Sequence, residues 1–450
     1  MKTPSLFPKS TFVRFYRRPT VGLAMLALAA FGVAADAQPV KIIQECHLPS
    51  LSYLELGFTQ EQIDHAAANG LTYTDRPAIA SGLERLAGNH FLSVCDRGPT
   101  WTVAAGRVFP LPSFTPMIFQ FKTVANRIEV EWALPIVAND AGDPVTGIPN
   151  SATEDSVPLA NAGGTLLPYN PNGMDIEDIH TLPGGGYILV EEYSPSVVIV
   201  DANGKVTRRY TPQGKTLPGA SYPVSDSLPA ILSQRRANRG LEAIAVSPDG
   251  TTAYTVMQSP LGSTAAGAPT RDSRVVRLIR MDISDPSNLQ VTGQFIVKMS
   301  PFTTYPAGNT QRALKISAMT WVNENKFLFL ERSDELLNGA NIGGAKLVLV
   351  DISSATDIHG TLLAASLVPE AVTTDLAALG VTPATSTVVF ANEQTPEITD
   401  FKLEGLAILN ANQVAISNDN DFGIGDFPGA ISKMWVIRLE DNLPINPPSK

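Results

Sequence analysis

Five segments spread along the 450-residue chain open a strand in the same way: a small or charged residue, an apolar residue, an acid or serine, then alternating apolar residues. They are Gly82-Leu83-Glu84-Arg85-Leu86, Asp175-Ile176-Glu177-Asp178-Ile179, Gly240-Leu241-Glu242-Ala243-Ile244, Lys315-Ile316-Ser317-Ala318-Met319 and Leu403-Glu404-Gly405-Leu406-Ala407. Each is followed by a hairpin-closing turn, such as Pro183-Gly184-Gly185-Gly186 or Pro248-Asp249-Gly250, and by a second strand. The second strands end in Asp96-Arg97, Glu192-Tyr193, Gln258-Ser259, Glu331-Arg332 and Asn418-Asp419. From the first acid (or Ser317) to these ends the count is 12, 15, 16, 14 and 14 residues, which returns the polar ends of paired antiparallel strands to one place. Further strands follow, among them Val197 to Asp201, Val275 to Asp282, Lys346 to Asp351 and Lys433 to Leu439, so each unit is a sheet of about four strands. Units that recur and carry a polar pair at the same strand end fit a propeller better than a two-sheet sandwich. The expected fold is therefore all-β, a β-propeller of six blades of about four antiparallel strands. The sixth blade is expected from strands near 41–56 together with the C-terminal strand, and a short helix is expected over 59–70. Repeats about 65 to 95 residues apart imply loop insertions, at 140–172, 211–238, 260–272 and 371–399.

The 34 glycines and 35 prolines have no period of three and suit many turns between short strands. Residues 1–20 carry Lys2, Lys9, Arg14, Arg17 and Arg18 without an acid, Val21 to Val33 form a short apolar core, and Ala35-Asp36-Ala37 offers small residues at the cleavage positions. This reads as a secretory signal over 1–37, followed by a propeller domain over 38–441 and a Pro-rich tail over 442–450. The apolar run is too short to span a bilayer, so stable membrane insertion is not expected, and the expected location is periplasmic or secreted. Arg17-Arg18 leaves the export route, general secretory or twin-arginine, open. The whole chain has 33 Lys+Arg against 43 Asp+Glu, and loss of the signal leaves 28 against 42. Such an acidic domain lacks the electrostatic footprint of a nucleic-acid binder. Cys46 and Cys95 are the two cysteines; an oxidising compartment makes one disulfide between them an expectation, with two free thiols as the alternative.

In a propeller the repeated polar ends converge on one axis. Glu84, Asp96, Glu177, Asp178, Glu192, Glu242, Glu331, Glu404 and Asp419 would then crowd together, and they cannot all stay ionised there without cations. Oxygen ligands in such number favour Ca²⁺ over Zn²⁺, with Glu84, Asp96, Glu177, Glu192, Glu242, Glu331, Glu404 and Asp419 as candidate ligands and Gln258 and Asn418 able to add amide oxygens. Arg97, Lys315, Arg332 and Arg239 offer the alternative remedy, a salt-bridged channel, and could equally hold a phosphate or carboxylate. The candidate catalytic set is Glu177, Asp178, Glu242, Arg97, Lys315 and Arg332; the candidate substrate-binding set is Arg239, Gln258 and Asn418. The chain carries no Gly-x-Ser-x-Gly elbow, His-Glu-x-x-His zinc site or Walker loop. Its five histidines are isolated, and His180 alone lies beside a repeat acid.

Several runs resemble the phytase-like family of bacterial secreted propellers described as having esterase-like activity of phytase. They are Cys95-Asp96-Arg97-Gly98, Met174-Asp175-Ile176-Glu177-Asp178, Glu192-Tyr193-Ser194-Pro195-Ser196, Arg235-Arg236-Ala237-Asn238-Arg239-Gly240-Leu241-Glu242, Met257-Gln258-Ser259-Pro260-Leu261, Leu330-Glu331-Arg332 and Lys402-Leu403-Glu404-Gly405-Leu406. The resemblance extends over about 80–440 and implies a β-propeller with ester or phosphoester hydrolysis, with Glu177, Glu192, Glu242, Gln258, Glu331 and Glu404 as motif positions. Ser317 and Gln258 depart from the acidic pattern. The expectation is a monomeric exported hydrolase in which axial acids bind Ca²⁺, Arg97, Lys315 and Arg332 orient a small anionic ester or phosphoester, and water activated by the metal attacks it. A noncatalytic ligand- or protein-binding propeller and a calcium-dependent lactonase-like enzyme are the alternatives.

Overall fold

The computed structural model describes residues 39–333, 343–398, 402–424 and 428–445, and the backbone alone of 13–14, 336–337 and 340–341. Both the export signal and residues 446–450 of the tail lie outside the side chains described. Among the described residues the main strands form five blades arranged in a ring, two of them joined as one continuous sheet, with a three-stranded and a two-stranded sheet besides. Blade 1 runs from its inner strand outward as Gly82–Arg85, His90–Val94, Met117–Val124 and Arg127–Pro135. Blade 2 follows with Ile176–Thr181, Tyr187–Glu191, Ser196–Val200 and Val206–Pro212, plus a parallel outer strand, Val224–Leu228. Blade 3 comprises Leu241–Val246, Thr252–Met257, Val275–Asp282 and Gln290–Lys298. Blade 4 comprises Leu314–Asn323, Lys326–Ser333, Gly344–Asp351 and Thr385–Ala391. Blade 5 takes Leu403–Asn410, Gln413–Asn418 and Lys433–Arg438 from the C-terminus and completes itself with Lys41–His47 from the N-terminus.

Each inner strand touches the next, and the inner strand of blade 5 returns to that of blade 1, which closes the ring. The propeller expected from the sequence is present, with five blades in place of six. Lys41–His47 pairs antiparallel with Lys433–Arg438, so the terminal strands that the sequence assigns to a separate blade finish blade 5. The outer strands of blades 5 and 1 meet at one pair, His47 and Arg127.

Hydrophobic packing follows the same division. A strand with both faces covered sends successive side chains to opposite neighbours. On the second strand of blade 2, Ile188 and Val190 pack towards blade 3 with Ile244 and Val246, whereas Leu189 packs towards blade 1 with Val94 and Ile118. Five clusters fill the five gaps, and the gap between blades 5 and 1 is also filled by the N-terminal segment through Tyr53, Phe58 and Ile63. At about 1.5–3 kcal/mol per fully buried large apolar side chain, these gaps hold the ring together. The expected short helix forms over Gln60–Ala68, where Thr59 caps the N-terminus and Gln62 completes a capping box. In the turn of blade 2, Gly185 and Gly186 take φ of 87° and 81°, and a Cβ at Gly186 would lie 2.4 Å from the Val200 carbonyl oxygen.

The disulfide is corrected: Cys46 and Cys95 are both buried free thiols. Cys46 lies 3.5 Å from the Ala125 carbonyl oxygen, and Cys95 Sγ accepts the Met117 N–H at 3.1 Å. The first residues of the tail are docked: Leu443 is buried, its N–H donates to the Ala411 carbonyl, and Asn323 donates to the Pro444 carbonyl at 2.7 Å. No helix among the described residues is long and apolar enough to cross a membrane.

Candidate functional site

A β-bulge near the start of four inner strands sets the site. The pairing jumps across Glu177 in blade 2, Glu242 in blade 3, Ser317 in blade 4 and Glu404 in blade 5. A bulge leaves one residue outside the ladder and re-aims its side chain. In blade 1 the corresponding place, counted from Val94, is Ser81, whose N–H donates to the Val94 carbonyl. The second position of the site lies at the end of each second strand: Glu192, Gln258 and Asp419 stand just beyond the last paired residue, Asp96 stands two beyond it, and Arg332 is still paired. Glu192, Gln258 and Asp419 fix it by donating their N–H groups to the carbonyls of Asp175, Gly240 and Lys402, and Arg332 pairs with Lys315 in register. The third position lies two residues before the bulge and holds Asp175, Gly240, Lys315 and Lys402 in blades 2 to 5.

These positions bring a buried acidic cluster together. Asp175, Glu177 and Glu192 each offer a carboxylate oxygen within 4.8 Å of the others, and all three are buried. Arg97 reaches this group from blade 1: its guanidinium lies 2.6 Å from Asp175, 3.0 Å from Asp155 and 3.7 Å from Glu192, and its own N–H donates to Asp175. Glu192 Oε1 accepts the Gly240 N–H at 3.2 Å, whereas its buried Oε2 receives no hydrogen bond. Glu242 accepts a 2.6 Å hydrogen bond from Gln258 Nε2, which leaves the buried Gln258 Oε1 without a donor. Asp175 Oδ2 is likewise buried without a hydrogen bond, although it is ion-paired with Arg97.

A second charged group lies on the side of blades 4 and 5. Arg332 pairs with Glu404, and Lys402 Nζ lies 2.5 Å from Asp419, 2.6 Å from Asp421 and 3.9 Å from Glu404. Asp96 sits between the two groups, accepting the Gly98 N–H at 2.9 Å and feeling both Asp419 and Lys402.

Too few cations serve the acids, and their titration reflects it. Burial, with Asp175, Glu242, Glu192 and Glu404 adding repulsion, drives Glu177 well above the usual carboxylate range. Burial, then Glu192 and Glu404, does the same to Glu242. Burial lifts Glu404 to about 8 against the pull of Lys402 and Arg332, and lifts Asp96 to about 7 with help from Asp419. Burial also opposes ionisation of Asp419, but Lys402 outweighs it and holds this acid below its ordinary value. Carboxyls raised this way by burial and by one another mark a site suited to a hard cation.

The expected residues divide accordingly. The structure brings Glu177, Glu192, Glu242, Gln258, Arg97, Glu404, Arg332, Asp96 and Asp419 to the axial end of the ring. Lys315 pairs with Arg332 there and is half-buried, and Arg239 donates to the Arg312 and Leu314 carbonyls at the start of blade 4. Four residues are placed elsewhere. Glu84 pairs with Leu92 in a strand without a bulge and holds Thr181 and His180 at the far end of blade 2's inner strand. Asp178 accepts the N–H groups of Ile179 and Ile244, each at 2.8 Å, and so ties two inner strands together. Glu331 is one residue short of the axial place; it points between blades 3 and 4, accepting from the Ser300 N–H and the Tyr305 hydroxyl. Asn418 is also one residue short, and both ends of its amide are used, on the Ile431 carbonyl and the Lys433 N–H.

Asp175, Lys402, Asp155 and Asp421 are site residues absent from the expected sets. Asp175 and Lys402 were detectable, since each stands two residues before a bulge glutamate. Asp155 and Asp421 arrive on irregular segments and have no comparable signal. A hollow of about 660 Å³, lined by Gln120, Lys122, Glu129, Glu131 and Trp132 among others, lies on the outer strands of blade 1, away from the axis. The acids, with their unmet charge, therefore define the candidate site, and the hollow does not.

With this geometry in hand, residues 78–422 match the family "Phytase-like: Esterase-like activity of phytase". The chain belongs to that family. No curated protein matches the chain. Among solved structures, the chain is similar to the PQQ-bound aldose sugar dehydrogenase of Streptomyces coelicolor, at 11% identity over 90% of this chain and 100% of that one, with a TM-score of 0.31. It is similar to a putative 6-phosphogluconolactonase from Bacteroides uniformis, at 11% identity over 75% and 80%, with a TM-score of 0.30. It is also similar to the Dos1 propeller, at 6% identity over 80% and 68%, with a TM-score of 0.27. At this degree of overlap the ring of sheets, and not these likenesses, places the phytase-like chain among propellers.

Proposed function

We propose that this phytase-like protein is an exported hydrolase of ester or phosphoester substrates whose axial acids, centred on Asp175, Glu177 and Glu192, hold Ca²⁺. The observation that carries the reading is the set of three buried carboxylates with ligand atoms within 4.8 Å of one another, next to Glu192 Oε2 and Gln258 Oε1, which have no donor. An all-oxygen donor set without histidine or cysteine matches a hard cation. When bound, Ca²⁺ would supply Lewis acidity and a more acidic water. Around it, Arg97 orients Asp175, and Gln258 orients Glu242 through its amide N–H. Burial raises Glu242 above the ordinary carboxylate range and Glu404 to about 8, which suits them to general-acid work. The N-terminal basic and apolar run supports export.

A panel of phosphomonoesters, phosphodiesters, carboxyl esters and lactones, assayed with Ca²⁺ and with chelator, tests the reading. Calcium-dependent turnover that Glu177→Gln and Glu242→Gln abolish is expected, and turnover on lactones alone would assign the lactonase-like alternative. Absence of turnover on every member, or equal turnover in chelator, overturns the hydrolase. The burial of every axial carboxylate favours the second reading in that event, a noncatalytic cation-loaded propeller that presents this face to a ligand.

A further inference from the structure

Beside the axial acids lies a cationic turn with the opposite imbalance. Arg236 is buried, and its Nη2 donates to the Thr270 and Arg271 carbonyls at 2.7 and 3.2 Å. Its Nε and Nη1 have no hydrogen-bond partner, so three of the guanidinium's five N–H donors are unmet. Arg271 Nε, on the neighbouring loop, is likewise buried without an acceptor. The turn brings Arg236 back to Arg239 through an isolated bridge, and Asn238 holds it in the left-handed region at φ 53°. The insertion over 260–272 clamps it: Gly262 donates its N–H to the Gln234 carbonyl, and within the loop Thr270 donates its hydroxyl to the Ser263 carbonyl.

Nearby acids are already engaged. Glu154 pairs with Lys215 and Arg235, and Asp272, the one acid felt by Arg236, is half-exposed and 3.4 Å from Arg312. A buried guanidinium with free donors and a like-charged neighbour is costly unless an acceptor-only group completes it. Burial, then Arg239, pulls the Arg236 guanidinium down to about 10, in keeping with that deficit. The turn also touches the acids directly, because Gly240, next to Arg239, donates its N–H to Glu192. Ala237 is exposed and Asn238 and Arg239 are half-buried, so the turn reaches solvent.

We propose that the Arg236–Arg239 turn is an oxyanion subsite that receives the phosphate group of a phosphoester, with Arg236 supplying the buried N–H donors. This rests on the hydrolase reading for its purpose and selects phosphoesters over neutral esters and lactones as the substrate class. As a binding site it stands independently. Phosphate accepts hydrogen bonds at several oxygens, which suits a donor-only guanidinium.

Inorganic phosphate is titrated calorimetrically into the mature protein in chelator, with Arg236→Gln, Arg236→Lys and Glu177→Gln alongside, each checked for folding by circular dichroism. Single-site binding is expected in wild type and Glu177→Gln, about tenfold weaker binding in Arg236→Lys, and none in Arg236→Gln. If Arg236→Gln does not fold, Arg236→Lys and crystals of wild type soaked in tungstate decide, an anomalous peak against the Arg236 guanidinium being expected. Equal phosphate affinity in wild type and Arg236→Lys, or an empty map at Arg236, overturns the subsite and leaves the donors to internal water. Failure of the hydrolase reading alone shows differently, as intact phosphate binding without turnover.

Discussion

Replacing Glu177 by glutamine should stabilise the calcium-free protein while abolishing its response to calcium. Its carboxylate is within 4.8 Å of those of Asp175 and Glu192, and two unit charges at that separation repel by about 3.5 kcal/mol at an effective dielectric constant of about 20. The full repulsion is never realised, because the group can take up a proton. Starting from its ordinary value of 4.5, protonation at pH 7 costs about 3.4 kcal/mol, at about 1.36 kcal/mol per pH unit. That figure caps what Glu177 subtracts from stability. Its folded pKa is raised above the unfolded one, so its stabilising contribution is fully present below about 4.5 and is lost as pH rises towards the folded value.

Glutamine keeps the shape and removes that loss. With an unfolding entropy of about 2.1 cal/mol/K per residue over roughly 400 residues, the gain corresponds to at most about 4 °C in Tm at pH 7 and vanishes near pH 4.5. Calcium at a hundred times its Kd would raise wild type by about 2.7 kcal/mol and the variant by nothing, so the order of Tm values reverses or closes on adding calcium. Differential scanning calorimetry across pH 4.5 to 8, with calcium or chelator, reads both effects. A variant that melts lower than wild type in chelator at pH 7 refutes the reasoning, because Glu177 would then be held by favourable contacts and not kept for a ligand.

Three further outcomes are expected. Lys402→Met strips the counterion from Asp419, Asp421 and Glu404, and should cost about 3–5 kcal/mol at pH 7. Part of that loss should return on acidification as the orphaned acids protonate, and urea melts at pH 5 and 7 will show it. Glu84→Gln should leave calcium affinity unchanged in a calorimetric titration, because Glu84 serves Thr181 and His180, whereas Glu192→Gln should weaken it at least tenfold. Cys46 and Cys95 should both remain unreactive to a thiol reagent in the folded protein and react after unfolding, and a reducing agent should leave the Tm unchanged.

The repeat was legible because its signals are local. Turn residues and the alternation of apolar side chains state where a hairpin begins, and the five strand openings read from the sequence fall at or next to the five inner strands. The partnership of the terminal strands was legible but the number of blades was not, since no local pattern records that Lys433–Arg438 stays on the sheet of Leu403–Asn410 and Gln413–Asn418 when it takes up Lys41–His47. Whether Cys46 pairs with Cys95 is open in the sequence for a related reason. Their presence says what a compartment permits, while the geometry that seats each thiol against a separate backbone group is tertiary.

Site residues turned on a finer matter, the parity of a strand. Reading Glu331-Arg332 and Asn418-Asp419 by composition names both members of each pair, although only Arg332 and Asp419 lie on the axial side. A one-residue slip sends a side chain to the opposite face. The inner-strand bulges, across from the strand ends, fix the true register, and bulges leave no mark in composition. Once register is fixed, hydrogen bonding separates two kinds of buried acid. Glu191 and Glu331, at the off-axis position, are fully engaged, the first by Arg209, Ser196 and the Tyr193 N–H, the second by Ser300 and Tyr305. Glu192, on the axial side, keeps a buried oxygen without a donor, and Glu177 sits among repelling carboxylates. An acid that the fold satisfies is part of the scaffold. An acid buried at comparable cost and left unsatisfied is open to a partner from outside the chain, and that difference makes Asp175, Glu177 and Glu192 the set that could hold a metal ion, rather than Glu84, Asp178 and Glu331.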